Sequence, residues 1–172
     1  MAAFSLFSGL FGSEDPKVDP YPAPQVEAVD QDGQTVRLGD LYDQHRDGFV
    51  LVYFYPKADT PGCTAQACSL RDDYEQLSAA GVHVIGVSTD GVASQKKFQG
   101  KYKLPFTLLA DPDAKVVKAF GVSTIPLLGV STRQAFLIHE GKVVWRDTKA
   151  STKEQAADVL RFLREYREGK AN

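Results

Sequence analysis

The chain has 172 residues, 43% of them hydrophobic, which fits one domain with enough apolar side chains for a real core. Its formal net charge is −2 and its Lys and Arg residues are scattered, a pattern that argues against nucleic acid or an anionic membrane surface as partner. Two cysteines in a chain this long exclude a disulfide-scaffolded fold.

In chain order, residues 1–15 stand apart. Phe4, Phe7 and Phe11, with Leu6 and Leu10, recur at helical spacing among Ser and Gly. The first basic residue is Lys17 and the apolar stretch is short, so neither a secretory signal nor a membrane span is expected. A mobile tail or small docking helix is the reading, with a cleaved signal or targeting remnant as the lesser alternative and a cytoplasmic location. The Pro-rich run from Asp15 to Pro24 reads as a linker, which divides the chain into a tail and linker (1–23) and one domain (24–172).

Gln25–Val29 and Thr35–Leu38, separated by Asp32-Gly33, predict a hairpin. Phe49–Tyr55 is a continuous apolar run of buried-strand type, followed by a helix expected over Pro61–Ala80. Val82–Ser88 predicts a second buried strand, Val92–Tyr102 a helix, Thr107–Ala110 a strand and Asp113–Phe120 a helical stretch. Gln134–His139 and Lys142–Trp145 form a late hairpin about Glu140-Gly141, and Thr152–Arg167 a closing amphipathic helix. Strands alternating with helices in this way argue for an α/β fold, a central mixed sheet flanked by helices. The tetrapeptide Gly-Val-Ser-Thr occurs at 121–124 and again at 129–132, too short a unit for a structural repeat, and reads as an irregular loop.

The chemistry concentrates where the first buried strand gives way to helix. Thr60 suits an N-cap, Pro61 the first helical position, and Cys63 then falls in the first turn, where unpaired N–H groups and the helix dipole favour an anion. An ordinary cysteine is only about 3% thiolate at neutral pH, so a position that favours the anion raises reactivity severalfold or more. The second cysteine, Cys68, lies five residues along the same helix. Ideal helix geometry holds two such Cα atoms about 8.6 Å apart, beyond the roughly 7 Å limit of a disulfide. A bond between them requires local unwinding, which reads as a redox cycle rather than a permanent staple. Metal is the weaker reading: His45, His83 and His139 are solitary in sequence, without ligand-like spacing to the cysteines.

Attack of a thiolate on a peroxide O–O bond needs donors that hold the peroxide in line and a charge that steadies the leaving oxygen. Thr60 could offer its hydroxyl, the N–H groups of Gly62 and Cys63 open the helix, Pro56 could screen the sulfur from water, and Arg133 is a candidate cation.

Pro56-x-x-x-Thr60-x-x-Cys63 resembles the peroxiredoxin active-site motif. The run Phe54-Tyr55-Pro56-Lys57 through Thr60-Pro61-Gly62-Cys63-Thr64, with Cys68 and Leu70-Arg71-Asp72, resembles the bacterioferritin comigratory protein or peroxiredoxin Q branch over roughly Pro24 to Leu163. The resemblance implies a thioredoxin-like fold, Cys63 as peroxidatic and Cys68 as resolving cysteine, and Thr60 and Arg133 as activating residues. It also implies hydrogen peroxide or organic hydroperoxides as substrates, thioredoxin or a similar dithiol protein as reductant, a monomer, and no metal or organic cofactor. Two positions depart from the branch: Ala58 stands where an acidic residue is common, and Gln134-Ala135 follow Arg133 where a hydroxyl residue is usual. Tyr53, Phe54, Tyr55 and Trp145 read as packing. Two rivals share much of this pattern: a thiol–disulfide exchanger, whose cysteines would have two residues between them where four intervene here, and a peroxide-responsive sensor without turnover.

Overall fold

The computed structural model describes residues 17–170. The Phe-rich segment therefore lies outside the described residues. Eight strands form one mixed sheet. They are β1 (Lys17–Pro22), β2 (Glu27–Asp30), β3 (Thr35–Arg37), β4 (Phe49–Phe54), β5 (Val82–Ser88), β6 (Thr107–Ala110), β7 (Gln134–His139) and β8 (Lys142–Asp147). Their order across the sheet is β1-β8-β7-β4-β5-β6-β2-β3. The pairs β4–β5 and β5–β6 are parallel, and β7 lies antiparallel to β4 on its other side. The described residues also form six helices: α1 (Leu38–Gln44), α2 (Pro61–Asp72), α3 (Tyr74–Ala79), α4 (Val92–Tyr102), α5 (Lys115–Ala119) and α6 (Gln155–Lys170).

Every residue of β4 is buried, as a strand covered on both faces must be. Its alternation sorts the interior into two cores. Phe49, Leu51, Tyr53 and Tyr55 point into one cluster with Cys63, Ala67 and Leu70 of α2, Phe98 of α4 and Val159, Phe162 and Leu163 of α6. Val50, Val52 and Phe54 point into the other, with Leu38 and Tyr42 of α1 and Val116 and Val117 of α5. Cys63 thus belongs to the face closed by α6, where Trp145 packs against Phe162.

The structure corrects three expectations. Residues 17–22, read as linker, form β1 on the sheet edge, paired antiparallel with β8. Pro20 and Pro22 lack an N–H, which an edge strand with one unpaired side tolerates and a central strand does not. The single helix expected over 61–80 is two, α2 and α3, separated at Asp73. Leu38, taken as the end of a strand, instead begins the short helix α1, with Leu38 and Tyr42 buried beneath it. The repeated tetrapeptides lie on the two sides of a small arm, where Thr124 and Ser131 form an isolated antiparallel bridge and the Thr132 N–H donates to the Ser123 carbonyl.

Candidate active site

β4 ends at Phe54, and the chain crosses the top of the sheet through Pro56 and Lys57 before α2 begins. That crossing is fastened from below. The Ala58 N–H and the Ser88 hydroxyl both donate to Asp90 Oδ2, at 2.8 and 2.6 Å. Asp59, at φ 59°, sits in the left-handed region that an Asp tolerates better than most residues. Its carboxylate accepts from Lys101 Nζ and from the Tyr102 hydroxyl. The hydrogen bond from Lys101 is the main reason that carboxyl lies below the usual aspartate range.

Thr60 is the N-cap residue of α2 by backbone conformation and Pro61 follows at the helix start. The Thr60 hydroxyl, however, turns back to donate to the Lys57 carbonyl at 2.7 Å, so it neither caps the helix nor contacts the sulfur. Cys63 lies in the first turn, 2% exposed, and Cys68 is partly exposed on the same unbroken helix. Both thiols are free. Pro56 is half-buried at the exit from β4.

Arg133 precedes β7, and the register explains why it meets Cys63. Phe54 pairs with Gln134, so the residue just before β7 stands beside the chain leaving β4. The neighbouring Ser131 hydroxyl donates to the Tyr55 carbonyl at 3.1 Å, drawing the two segments together. Arg133 Nη2 then approaches Cys63 Sγ to 3.5 Å, and Nη1 donates to Gln66 Oε1 at 2.5 Å. Gly62 leaves the room: a Cβ there would lie 3.0 Å from Arg133 Nη2. Around a nearly dry sulfur a fixed guanidinium interacts more strongly than it would in water.

Gln66 was not anticipated from sequence. It is fully buried, and its Nε2 donates to Oε1 of Gln155, the buried first residue of α6, at 2.7 Å. The available signal was its place three residues after Cys63, on the helix face that also carries Ala67 and Leu70.

The AhpC/TSA family model matches residues 21–146. A Peroxiredoxin Bcp of Escherichia coli is 44% identical over 152 residues, covering 84% of this chain and 94% of that protein.

The chain belongs to the AhpC/TSA family, on its peroxiredoxin Q/Bcp branch.

A chloroplastic peroxiredoxin Q of Oryza sativa is 46% identical over 122 residues, 71% of this chain, but this chain spans only about half (54%) of that protein's length. Among solved structures, the Mycobacterium tuberculosis peroxidoxin BcpB superposes with a TM-score of 0.73 at 32% identity, covering 88% of this chain and 96% of that one. A Xanthomonas campestris peroxiredoxin Q superposes with a TM-score of 0.72 at 28% identity, covering 84% and 93%. The fold is the thioredoxin-like one that the peroxiredoxin motif implied.

Two departures from the branch now have structural surroundings. Ala58 needs no side-chain anchor because its N–H is held by Asp90. Gln134, in place of a hydroxyl residue, accepts from Arg146 at 3.1 Å, and it is Gln66 that holds Arg133. The three histidines, solitary in sequence, gather at the far end of β4. His45 stacks on His83 with centroids 4.1 Å apart, and His139 Nδ1 lies 2.7 Å from the Gly48 carbonyl. Among the described residues no group of three or more His, Cys, Asp or Glu side chains could hold a metal ion. No helix among them is long and apolar enough to cross a membrane.

Proposed function

We propose that the chain is a thiol-dependent peroxidase in which Cys63 is the peroxidatic and Cys68 the resolving cysteine. The observation that carries this reading is the Arg133 guanidinium 3.5 Å from Cys63 Sγ at the opening turn of α2. The cation beside the sulfur and the unpaired N–H groups of the first turn both favour negative charge developing on a bound peroxide oxygen.

The thiolate attacks one peroxide oxygen. A sulfur–oxygen bond forms, the O–O bond breaks, sulfur gives up two electrons, and the leaving oxygen takes a proton to depart as water or alcohol. Arg133 faces both the sulfur and the oxygen on which charge grows, so its effect is largest in the transition state. Pro56 screens the sulfur, and Thr60 turns its hydroxyl from Lys57 toward the bound peroxide. Cys68 then attacks the Cys63 sulfenic acid, forming the disulfide and releasing the oxygen as water. A dithiol protein, thioredoxin or one like it, gives two electrons to restore both thiols. The chain acts as a monomer, and a reducing compartment such as the cytoplasm suits a cycle that must regenerate two thiols. The X. campestris bacterioferritin comigratory protein, 27% identical, has been solved in a study of alkyl peroxide reduction, which supports organic hydroperoxides beside hydrogen peroxide as substrates.

Steady-state consumption of hydrogen peroxide and of an organic hydroperoxide, with thioredoxin and its reductase, tests the reading. Many equivalents should be consumed. Cys63→Ser should abolish consumption, whereas Cys68→Ser should keep a burst of one equivalent and lose cycling. Turnover in the Cys63 variant, or full cycling in the Cys68 variant, refutes the corresponding role.

A further inference from the structure

The segment between β8 and α6 lies along α2 and is fastened to it and to Arg133. The Ala150 N–H donates to the Arg133 carbonyl at 3.3 Å. The Thr152 methyl lies 3.7 Å from where a side chain on Gly62 would begin. The Lys153 carbonyl accepts from the Ser69 hydroxyl at 2.9 Å. Gln155 Oε1 accepts from Gln66 Nε2 at 2.7 Å, with both residues no more than 1% exposed. The segment is itself stiffened by the Ser151 hydroxyl, which accepts from the N–H groups of Lys153 and Glu154.

The amide orientations follow from the chemistry of the partners. Arginine only donates, so Gln66 must turn its oxygen to Arg133 and its nitrogen to Gln155, and Gln155 must answer with its oxygen. Gln155 Nε2, also buried, has no hydrogen-bond partner among the described residues.

We propose that residues 150–155 form a latch on α2, with Gln155 as a positioning residue that holds Arg133 through Gln66 and slows the resolution step. The proposal rests on the peroxidase reading above. Gln66 lies between the two cysteines and Ser69 directly follows Cys68, so both hydrogen bonds sit on the stretch that must unwind. While that stretch is helical, the cysteine Cα atoms stay about 8.6 Å apart and no disulfide can form. Resolution joins the two sulfurs, breaks the sulfur–oxygen bond of the sulfenic acid, and releases hydroxide that takes up a proton, with no outside electrons. It must wait for the Gln66–Gln155 and Ser69–Lys153 bonds to open. Each bond then slows resolution by about fivefold, the rate equivalent of one typical hydrogen bond. During that delay a second peroxide can carry Cys63 to the sulfinic acid. The latch thus trades a well-held Arg133 against exposure to overoxidation.

The test uses the full chain with hydrogen peroxide, acid quenching, thiol alkylation and mass spectrometry to time sulfenic acid and disulfide separately. Gln155→Met, similar in size but with only a weakly accepting sulfur in place of the amide oxygen, should slow the first oxidation about twofold to fivefold and speed resolution about fivefold. Ser69→Ala should leave the first oxidation unchanged and speed resolution by a similar factor. In both variants the peroxide dose that half-converts Cys63 to sulfinic acid should rise. Val117→Ala, in the core on the opposite face of the sheet, controls for general loss of stability and should leave resolution unaltered. Disulfide formation at the unmodified rate in both Gln155→Met and Ser69→Ala, or equal acceleration by Val117→Ala, overturns the latch alone. Absence of any Cys63–Cys68 disulfide in the unmodified protein overturns the resolving role of Cys68 and the latch with it.

Discussion

Arg133 divides its guanidinium between two residues of one helix, Nη2 toward the Cys63 sulfur and Nη1 to the Gln66 amide. A cation held at both ends needs little reorganisation as charge moves onto the peroxide, which is the condition under which one donor has a large effect. Arg133→Met should slow oxidation of Cys63 by about 10², measured as the second-order rate with hydrogen peroxide. Thr60→Val should cost less, because the Thr60 hydroxyl starts out bonded to the Lys57 carbonyl and gives up that bond to serve a peroxide. Equal rates in the Arg133 variant and the unmodified protein would place the activating charge elsewhere. At the other end of β4, burial foremost and then the stacked His45 push the His83 imidazole down to about 4. Between pH 4 and 6.5 the unfolded chain therefore binds a proton that the folded one refuses. Stability should be full above pH 6.5, fall as pH drops through that window, and level off below pH 4, with a span on the order of 1 kcal/mol once partial exposure is discounted. Denaturant titrations at several pH values check it, and His83→Gln should flatten that part of the profile.

At the scale of elements, α2 is the part that must change. It is an unbroken helix of 12 residues in the thiol state and ends at Asp73, where α3 takes over. That break limits how far unwinding has to spread: residues 63–72 can leave the helix while α3 stays packed through its buried Leu77. Hydrogen exchange of the disulfide form should show lost protection between Thr60 and Ser69, with β4 and β5 almost unchanged. Equal protection of α2 in both redox states, with the disulfide confirmed by mass, would contradict the unwinding step.

For the molecule as a whole, the reactive end of the sheet and its foundation are separate. The chain turns into β4 at Gly48, where an added Cβ would fall 2.3 Å from the Gly81 carbonyl oxygen, a backbone atom that cannot swing aside. The neighbouring Phe49 N–H donates to that same carbonyl at 2.8 Å, starting the register of β4 against β5. Gly48→Ala should therefore lower stability by about 2 kcal/mol, the scale of overpacking in a tight interior, and Tm by roughly 5 °C or more for a chain of this length. The folded fraction should still react with peroxide at the normal rate, since Cys63 lies beyond the opposite end of β4. An unchanged melting temperature in scanning calorimetry would show that the two loops can part without cost.

What could be read from the residues alone was local. The helix start at Thr60-Pro61, the apolar run of β4 and the Pro-Thr-Cys spacing all depend on neighbours in sequence, as helical and strand periodicities and cap preferences do. Lys17–Pro22 read as linker because a strand with two prolines makes sense only beside an edge partner, and that partner, β8, lies more than a hundred residues away. Asp73 could not be seen as a break, since nothing in its immediate neighbours forbids helix. Arg133 could be named as a candidate cation, but only the resemblance set it beside Cys63; its distance from the sulfur depends on β7 pairing antiparallel with β4 in a register that sets Gln134 opposite Phe54. Gln66 and Gln155 lie 89 positions apart and signal nothing singly, because a glutamine is ordinarily a surface residue. Only the packing of α6 over α2 buries both amides, and a buried amide must find a partner.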